Sequence, residues 1–312
     1  MSNPRRAVRN LFQAIEPSHV AAESHARAES PGDAQDDHTR PGTAAIRPAG
    51  GSPPLVLSLF PGVDLLGRAF TWAGHCVVAG PDLILDQRIE DFHAPPGRFD
   101  GVIGGPPCVN YSDANRHRDS AEGDRLVLEF LRVVDEARPV WWLMENVRNV
   151  PNVRLRGYRV QRLDCTDWEF GGPSGRLRHV QFGHVDGWII RPVRTTDRRP
   201  VTPVPTLTTA PAGPGDRYGR RCAKMGFGRL ALSCLTPAAR RRVIGNGVPW
   251  GMGAALARAV QAAGPVTPAD CVCGCGRTVS GAAHHASTAC RQRTSRRRRG
   301  HTRELAYVEL SH

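Results

Sequence analysis

The sequence has almost no lysine, no long apolar run and no regular spacing of its cysteines. Lys224 is the single lysine among 42 basic residues, a bias typical of GC-rich genomes. An apolar run of about 18 residues, which a membrane-spanning helix needs, does not occur, and neither does a signal-peptide pattern. The nine cysteines are scattered and do not suggest a disulfide framework. These absences argue against a secreted or membrane-spanning protein and predict a cytoplasmic chain with reduced thiols.

What the sequence has in excess is positive charge. Its 312 residues carry a formal net charge of +13, and the pI is about 10.2. Codon usage explains part of the arginine content, but a balance this basic still favours a polyanion as the partner. The length suffices for one large domain, or for one domain with small appendages.

A turn rich in glycine and proline places a cysteine directly after an apolar stretch. Residues 101–112 read GVIGGPPCVNYS, so Val102 and Ile103 lead through two glycines and two prolines to Cys108. The glycines permit backbone conformations that a side chain forbids, and the prolines stiffen the turn before the cysteine. Open α/β sheets bind ligands at such strand ends, which predicts a nucleophilic thiol at the tip of a rigid turn. The alternative is a Gly-Pro loop with an incidental cysteine.

A carboxylate comes after a second apolar stretch. Residues 140–144 predict a buried strand, and Glu145, Asn146 and Val147 come directly after it. Burial disfavours the charged form of a carboxyl group, so Glu145 would hold or donate a proton near neutral pH. Taken alone, a surface glutamate is the simpler interpretation. The two strand ends together predict a nucleophile and an acid that face one pocket.

These two stretches belong to five short motifs that succeed one another between residues 55 and 260. The first reads SLFPGVD at residues 58–64, and Pro-Pro-Cys at 106–108 and Glu-Asn-Val at 145–147 come next. The last two are Ser-Gly-Arg-Leu-Arg at 174–178 and Gly-Asn-Gly-Val-Pro at 245–249. In content and order the set resembles the DNA cytosine-5 methyltransferases. The likeness is closest to compact phage- or prophage-type members with a Cys-containing, Arg-rich C-terminus.

The resemblance implies that a methyl group moves from S-adenosylmethionine to carbon 5 of cytosine in DNA through a covalent cysteine adduct. The implied nucleophile is Cys108, which adds to carbon 6, and the implied acid at ring nitrogen 3 is Glu145. Arg178 would bind the ring carbonyl, since its fork of donors suits paired recognition. Arg176 and Asn146 complete the implied catalytic set. The target base must leave the duplex, at a cost of roughly a few kcal/mol.

A spacing of about 20 residues between a strand-ending glycine and an acid is typical of nucleotide-binding βαβ units, where the acid binds the ribose hydroxyls. Gly62 and Asp82 stand at that spacing. The resemblance implies S-adenosylmethionine as the cofactor, with its adenine stacked on Phe60. The other residues that it implies for cofactor binding are Pro61, Gly62, Pro106, Asn246 and Val248.

Some positions depart from the family pattern. Ser58 stands where the family has an acid, Asp64 where it has glycine, and Val109 where it has glutamine. A further cofactor acid would fall near Arg88, where Asp86 or Asp91 could substitute for it. Two alternatives therefore stay open: a catalytically weak or inactive relative that binds DNA without modifying it, and an enzyme that acts on RNA.

Apolar residues recur at helical spacing in two segments. They are Leu126, Val127, Phe130, Leu131 and Val134 in the first, and Met252, Ala255, Leu256, Ala259 and Val260 in the second. Helices that alternate with strands predict an α/β fold with a doubly wound, mostly parallel sheet. The resemblance implies that this fold is of the S-adenosylmethionine-dependent methyltransferase type, with a small C-terminal Cys/His appendage.

Composition divides the chain into five segments. Residues 1–53 predict a disordered extension, and residues 54–183 the catalytic and cofactor-binding core. For residues 184–235 the resemblance implies a short target-recognition segment, with a truncated linker that reads no sequence as the alternative. Residues 236–264 predict a motif helix that returns to the core. Residues 265–312 predict a metal-binding, Arg-rich tail.

The tail combines clustered cysteines with arginines. The simplest ligand set for a tetrahedral structural zinc site is Cys271, Cys273, Cys275 and Cys290, with His284 or His285 as a substitute for one thiol. The spacing is tighter than usual, so free thiols are the alternative. Residues 291–303 carry seven arginines and predict an arm that binds phosphates. We expect a monomer that binds double-stranded DNA and no membrane, at the bacterial nucleoid or in a phage-infected host.

Overall fold

A six-stranded sheet forms the centre of the computed structural model. The structure describes residues 52–108, 111, 119–196, 206–207, 217–228, 230–280, 283–298 and 304–307. The predicted N-terminal extension lies outside the described residues except for Ser52 and Pro53. Val109 and the arginines of residues 299–303 lie outside them as well.

The strand order of this sheet is β2-β1-β3-β4-β7-β6. Strands β1 to β4 run parallel, whereas β7 is antiparallel to both of its neighbours, β4 and β6. The predicted mostly parallel α/β sheet is therefore confirmed. The strands of the sheet are β1 (Leu55–Leu59), β2 (Cys76–Ala79), β3 (Gly101–Gly104), β4 (Trp141–Asn146), β6 (Arg159–Thr166) and β7 (Leu177–His184). A separate pair joins β5 (Asn152–Leu155) to β8 (Glu304–Tyr307) in parallel.

Helices connect and cover these strands. They are α1 (Leu65–Trp72), α2 (Ser120–Ala137), α3 (Tyr218–Lys224), α4 (Pro237–Asn246), α5 (Trp250–Gln261) and α6 (Thr288–Arg298). Short 3₁₀ turns lie at Leu83–Leu85, Ile89–Asp91 and Asp167–Phe170. Among the described residues, no helix is both long and apolar enough to cross a bilayer.

The sheet buries a core on each face. On one face, Val56 and Ile103 pack with Phe70 of α1 and Leu256 of α5. On the other face, side chains that alternate with these along the strands pack against the apolar stripe of α2. Both helical stripes predicted from the sequence therefore lie in the core, with Leu126 and Ala255 only partly buried.

Two tryptophans of the central strand pack over glycines of the neighbouring strands. Trp141 lies opposite Gly101 of β3, and Trp142 lies opposite Gly183 of β7. A Cβ atom added at Gly183 would lie 2.2 Å from Cε2 of Trp142, so any side chain there would collide with the indole. Both indoles are buried. Glycine at these two positions thus leaves room for a large ring on each face of β4.

We expect Gly183→Ala to lower the free energy of unfolding by about 1–3 kcal/mol, because the added methyl group enters a filled core. Gly175→Ala is the matched control, since a Cβ atom there meets nothing within 4 Å. The control should change stability by less than about 0.5 kcal/mol. Urea denaturation measures both variants, and equal midpoints would show that the Gly183 contact imposes no constraint.

Candidate active site

A cavity of about 690 Å³ opens at the carboxyl ends of β1, β3 and β4. This end of an open α/β sheet is the usual place for a ligand. The predicted catalytic residues Cys108, Glu145, Asn146 and Arg178 all line the cavity. So do the residues predicted to bind the cofactor, which are Phe60, Pro61, Gly62, Asp82, Pro106, Asn246 and Val248. The fold thus brings together residues from both ends of the motif-bearing region.

An ion pair between neighbouring strands forms one wall of the cavity. Glu145 lies at the end of β4, Arg178 lies at the start of the antiparallel β7, and Nε of Arg178 is 2.6 Å from Oε1 of Glu145. Both side chains are buried. Burial raises the pKa of Glu145 above its ordinary value, and the positive charges of Arg178 and Arg176 oppose that rise. The carboxyl group is therefore fixed in place and suited to holding a proton.

The thiol of Cys108 lies at the same cavity and is partly buried. Burial raises the pKa of this thiol, and the negative charge of Glu145 raises it further. Arg178 and Arg176 act in the opposite direction. The charge state of Glu145 therefore influences how readily Cys108 becomes a thiolate.

Asn146 holds the cysteine turn against β4. Its Nδ2 donates a hydrogen bond to the carbonyl oxygen of Pro106 at 3.0 Å, and its Oδ1 accepts one from the N–H of Val147 at 2.8 Å. The turn comes so close to the acid that a Cβ atom at Gly105 would lie 3.3 Å from Oε2 of Glu145. These contacts position the turn. A direct catalytic role for Asn146 stays a prediction.

Arg176 is buried and reaches the end of α4. Its Nη1 donates to the carbonyl of Leu207 at 2.9 Å, and its Nη2 donates to those of Gly245 at 2.6 Å and Gly247 at 2.9 Å. Carbonyls at a helix C-terminus lack partners within the helix, and a cation there is favourable. Burial lowers the pKa of Arg176 to about 9. Its contacts join β7 to the Gly-Asn-Gly-Val-Pro motif and thereby fix the cavity wall that this motif forms.

The predicted cofactor half of the cavity is built from two turns. Phe60 has a φ of 53°, a left-handed conformation that is rare for an aromatic residue and is often found at functional sites. Gly62, with a φ of 58°, donates its N–H to Oδ2 of Asp82 at 2.8 Å. The other oxygen of Asp82 accepts from the N–H of Ile84 at 2.8 Å. Asp82 therefore joins the turn after β1 to the turn after β2.

The two departures in the opening motif contact each other. The hydroxyl of Ser58 donates to Oδ1 of Asp64 at 2.8 Å, and the N–H of Gly67 donates to the same oxygen at 2.9 Å. Asp64 is thus the N-cap of α1. Burial raises the pKa of Asp64, and both hydrogen bonds counteract that rise. The motif keeps a carboxyl group, supplied by the helix cap instead of the strand.

Sequence reasoning missed a group of charged residues on the cavity wall. Arg125 of α2 pairs with Glu122 at 2.7 Å and also contacts Glu90. Arg88, where a cofactor acid was expected, lies 3.5 Å from the same Glu90. The one signal in the sequence was the three-residue spacing of Glu122 and Arg125, which places them on one helix face.

The four predicted cysteine ligands form a second site outside this cavity. The sulfur atoms of Cys271, Cys273, Cys275 and Cys290 all lie within 4.8 Å of one another, and all four residues are buried. The sulfurs of Cys271 and Cys273 are 3.5 Å apart, and those of Cys275 and Cys290 are 3.8 Å apart. Four thiolates at about 2.3 Å from one zinc ion would be about 3.8 Å apart, so the cluster is the right size to hold a metal ion. His285 instead contacts the hydroxyl of Thr294.

The sequence is similar to known DNA methyltransferases. Residues 84–183 match the family described as C-5 cytosine-specific DNA methylase. The type II methyltransferase M.AgeI of Thalassovita gelatinovora is 32% identical over 116 residues, which are 33% of this chain and 27% of that protein. The type II methyltransferase M.AquIA of Picosynechococcus sp. is 51% identical over 66 residues, 20% of this chain and 26% of that protein. The match spans about a quarter of the length of these relatives.

The fold is similar to that of the Entamoeba histolytica methyltransferase EhMeth. The TM-score is 0.50 at 12% sequence identity, and the alignment covers 66% of this chain and 97% of that one. The residues that match the family include the cysteine turn, the glutamate strand and Arg178, which meet at the cavity. The likeness indicated by the five motifs is therefore confirmed, since residues 84–183 are similar to the C-5 cytosine-specific DNA methylases.

Proposed function

We propose that the protein transfers a methyl group from S-adenosylmethionine to carbon 5 of cytosine in DNA, through a covalent adduct with Cys108. The observation that carries this proposal is that Cys108, Glu145 and Arg178 line one cavity, with Arg178 and Glu145 2.6 Å apart. The cavity thus combines a nucleophile, an acid and a hydrogen-bond donor. The net charge of +13 supports DNA as the substrate.

The chemistry begins with the thiolate of Cys108. Its sulfur forms a bond to carbon 6, which makes carbon 5 enamine-like and moves negative charge toward ring nitrogen 3. Glu145 holds or supplies the proton at that nitrogen, a task for which its raised pKa is suited. Arg178 donates to the ring carbonyl and keeps Glu145 in place. After carbon 5 accepts the methyl group, loss of its proton restores the double bond and expels the thiolate.

When bound, S-adenosylmethionine would supply the methyl group from its cationic sulfonium, whose sulfur keeps the electron pair of the broken C–S bond and becomes a neutral thioether. The cavity of about 690 Å³ is within the size range of cofactor sites, which is about 300–1,000 Å³. Phe60 offers an aromatic face for the adenine, and Asp82 offers carboxylate oxygens for the ribose hydroxyls. Asn246 and Val248 close the cavity from α4 and the loop after it. The Ser58–Asp64 hydrogen bond favours an intact cofactor turn over a degenerate one.

We also propose that the four-cysteine cluster binds a structural zinc ion. Apart from the thiolates themselves, the cluster has donors that stabilise negative sulfur. The N–H of Ala286 lies 3.2 Å from the sulfur of Cys271, and the hydroxyl of Ser287 lies 3.2 Å from that of Cys290. Outer partners of this kind orient metal ligands and tune their charge.

DNA that carries 5-fluorocytosine tests the catalytic proposal. It should form a covalent complex only when S-adenosylmethionine is present, because fluorine cannot leave carbon 5 as a proton does. Cys108→Ser should abolish the complex. Cys76→Ser, at an exposed cysteine, is the control and should leave it unchanged. Denaturing electrophoresis separates the adduct from free protein.

Three other results of this experiment would be informative. A complex that persists in Cys108→Ser would remove that residue from its role. If the unmodified protein binds the DNA but forms no covalent complex, the result would favour the inactive relative that binds DNA without modifying it. A complex formed on RNA but not on DNA would favour the enzyme that acts on RNA.

The pH dependence of thiol reactivity tests the coupling between Glu145 and Cys108. Because the charge of Glu145 raises the pKa of Cys108, we expect Glu145→Gln to lower that pKa. The rate of Cys108 alkylation by iodoacetamide should therefore begin to rise at lower pH in this variant. Glu122→Gln, on the α2 side of the same cavity, is the control and should not shift the profile. Mass spectrometry of the Cys108 peptide gives the rate, and identical profiles would contradict the coupling.

Metal analysis tests the zinc proposal. The purified protein should contain about one zinc ion per chain. Cys290→Ser should reduce the zinc content, whereas Cys234→Ser, at an exposed cysteine outside the cluster, should preserve it. Inductively coupled plasma mass spectrometry measures the stoichiometry. An unmodified protein that contains no zinc would overturn the proposal.

A further inference from the structure

The residues after 264 pack against the edge strand β6. Gln161 of β6 donates from Nε2 to the carbonyls of Gly274 and Ile190, both at 2.9 Å. Arg191 and Asp270 form an ion pair at 2.6 Å. These contacts join the cysteine-containing segment to the core through buried or partly buried polar groups. The segment is therefore a fixed part of the domain.

Helix α6 is attached to this arrangement at two points. Cys290, near its start, is one of the four clustered cysteines. Arg293, one turn later, lies 2.9 Å from Oδ2 of Asp164 on β6 and donates to the sulfur of Cys273 at 3.5 Å. Asp164 and Gln161 point to opposite faces of β6, because side chains alternate along a strand. The C-terminal residues thus contact both faces of the edge strand.

These attachments place α6 near the carboxyl end of the sheet. Asp164 pairs in register with His179, the residue next to Arg178 of the catalytic ion pair. Beyond α6, β8 pairs with β5, which comes soon after the Glu-Asn-Val motif in the chain. The segment that contains α6 therefore lies beside the strands that carry the candidate active site.

The charged residues of α6 are all positive. Residues 288–298 read TACRQRTSRRR, with five arginines and no acidic residue. Arg293 forms an ion pair with Asp164, whereas Arg291 and Arg296 are exposed to solvent. Like charges at this density repel one another on a short helix. A polyanion that neutralises them is the partner that this surface fits.

We infer that α6 is a second surface for duplex DNA, which binds backbone phosphates beside the cavity that receives the cytosine. The inference rests on the proposed function, since that function brings DNA to this end of the sheet. Cys290 and Arg293 fix the helix, so Arg291 and Arg296 meet the phosphates without an ordering cost for the backbone. Phosphate contacts position the duplex and do not read its sequence.

A double variant, Arg291→Gln with Arg296→Gln, tests this surface without removing its anchors. Its matched control is Arg98→Gln with Arg156→Gln, which removes the same charge from exposed residues at the opposite end of the sheet. Binding to a duplex of fixed sequence is measured by fluorescence anisotropy across a salt series. Each lost phosphate contact should reduce the slope of log affinity against log salt by about 0.9. We expect the α6 variant to lose about 1.8 in slope and to bind roughly 10- to 30-fold more weakly at about 0.15 M salt.

The outcomes separate this inference from the proposed function. Equal affinity and slope in the α6 variant and the unmodified protein would overturn the inference, and so would an equal loss in the control. If loss of the two arginines weakened the binding of a single-stranded RNA more than the binding of duplex DNA, duplex DNA would be overturned as the occupant of this surface. At saturating DNA, the α6 variant should still form the 5-fluorocytosine adduct. Absence of that adduct in the unmodified protein would contradict the proposed function alone, because the salt slopes do not depend on catalysis.

Discussion

The antiparallel pairing of β7 with β4 is the constraint on which the candidate site depends. It places the first residues of β7 beside the last residues of β4, so that Arg178 meets Glu145. A parallel β7 would carry its arginine to the opposite end of the sheet. The pairing also sets the acidity of the site, since burial raises the pKa of Glu145 and Arg178 opposes it. The proton affinity of Glu145 and the thiol chemistry of Cys108 both depend on this balance.

Two arginines separated by one residue, Arg176 and Arg178, have different partners in the site. Arg178 faces the carboxyl group, whereas Arg176 donates to the carbonyls of Gly245 and Gly247, far along the chain. Even with its pKa lowered to about 9, Arg176 stays protonated at neutral pH. It therefore joins the last motif to the sheet, while Arg178 pairs with Glu145 at the cavity wall. Motifs that are far apart along the chain thus lie around one cavity.

Sequence alone predicted the parts of this site that depend on local signals. Gly and Pro after an apolar stretch identified the turn of Cys108, and a carboxylate after a buried strand identified Glu145. The contact between Ser58 and Asp64 was not predicted, because it depends on where α1 begins and on how Asp64 caps it. The direction of Arg176 was not predicted either, since its partners are fixed only by the tertiary arrangement. Cysteine spacing predicted the four-thiol cluster, but no local pattern showed that Arg293 reaches β6.

The packing of the C-terminal residues on β6 also matters for the sheet as a whole. Every open sheet ends in two strands whose outer N–H and C=O groups invite pairing with another chain, which leads to aggregation. At one edge the exposed strand β2 is only four residues long and offers little to pair with. At the other edge, contacts from Gln161 and Asp164 hold the cysteine-containing segment and α6 against the longer β6. The segment that supplies the basic helix therefore also flanks this edge strand on both of its faces, where it hinders the approach of a strand from another molecule.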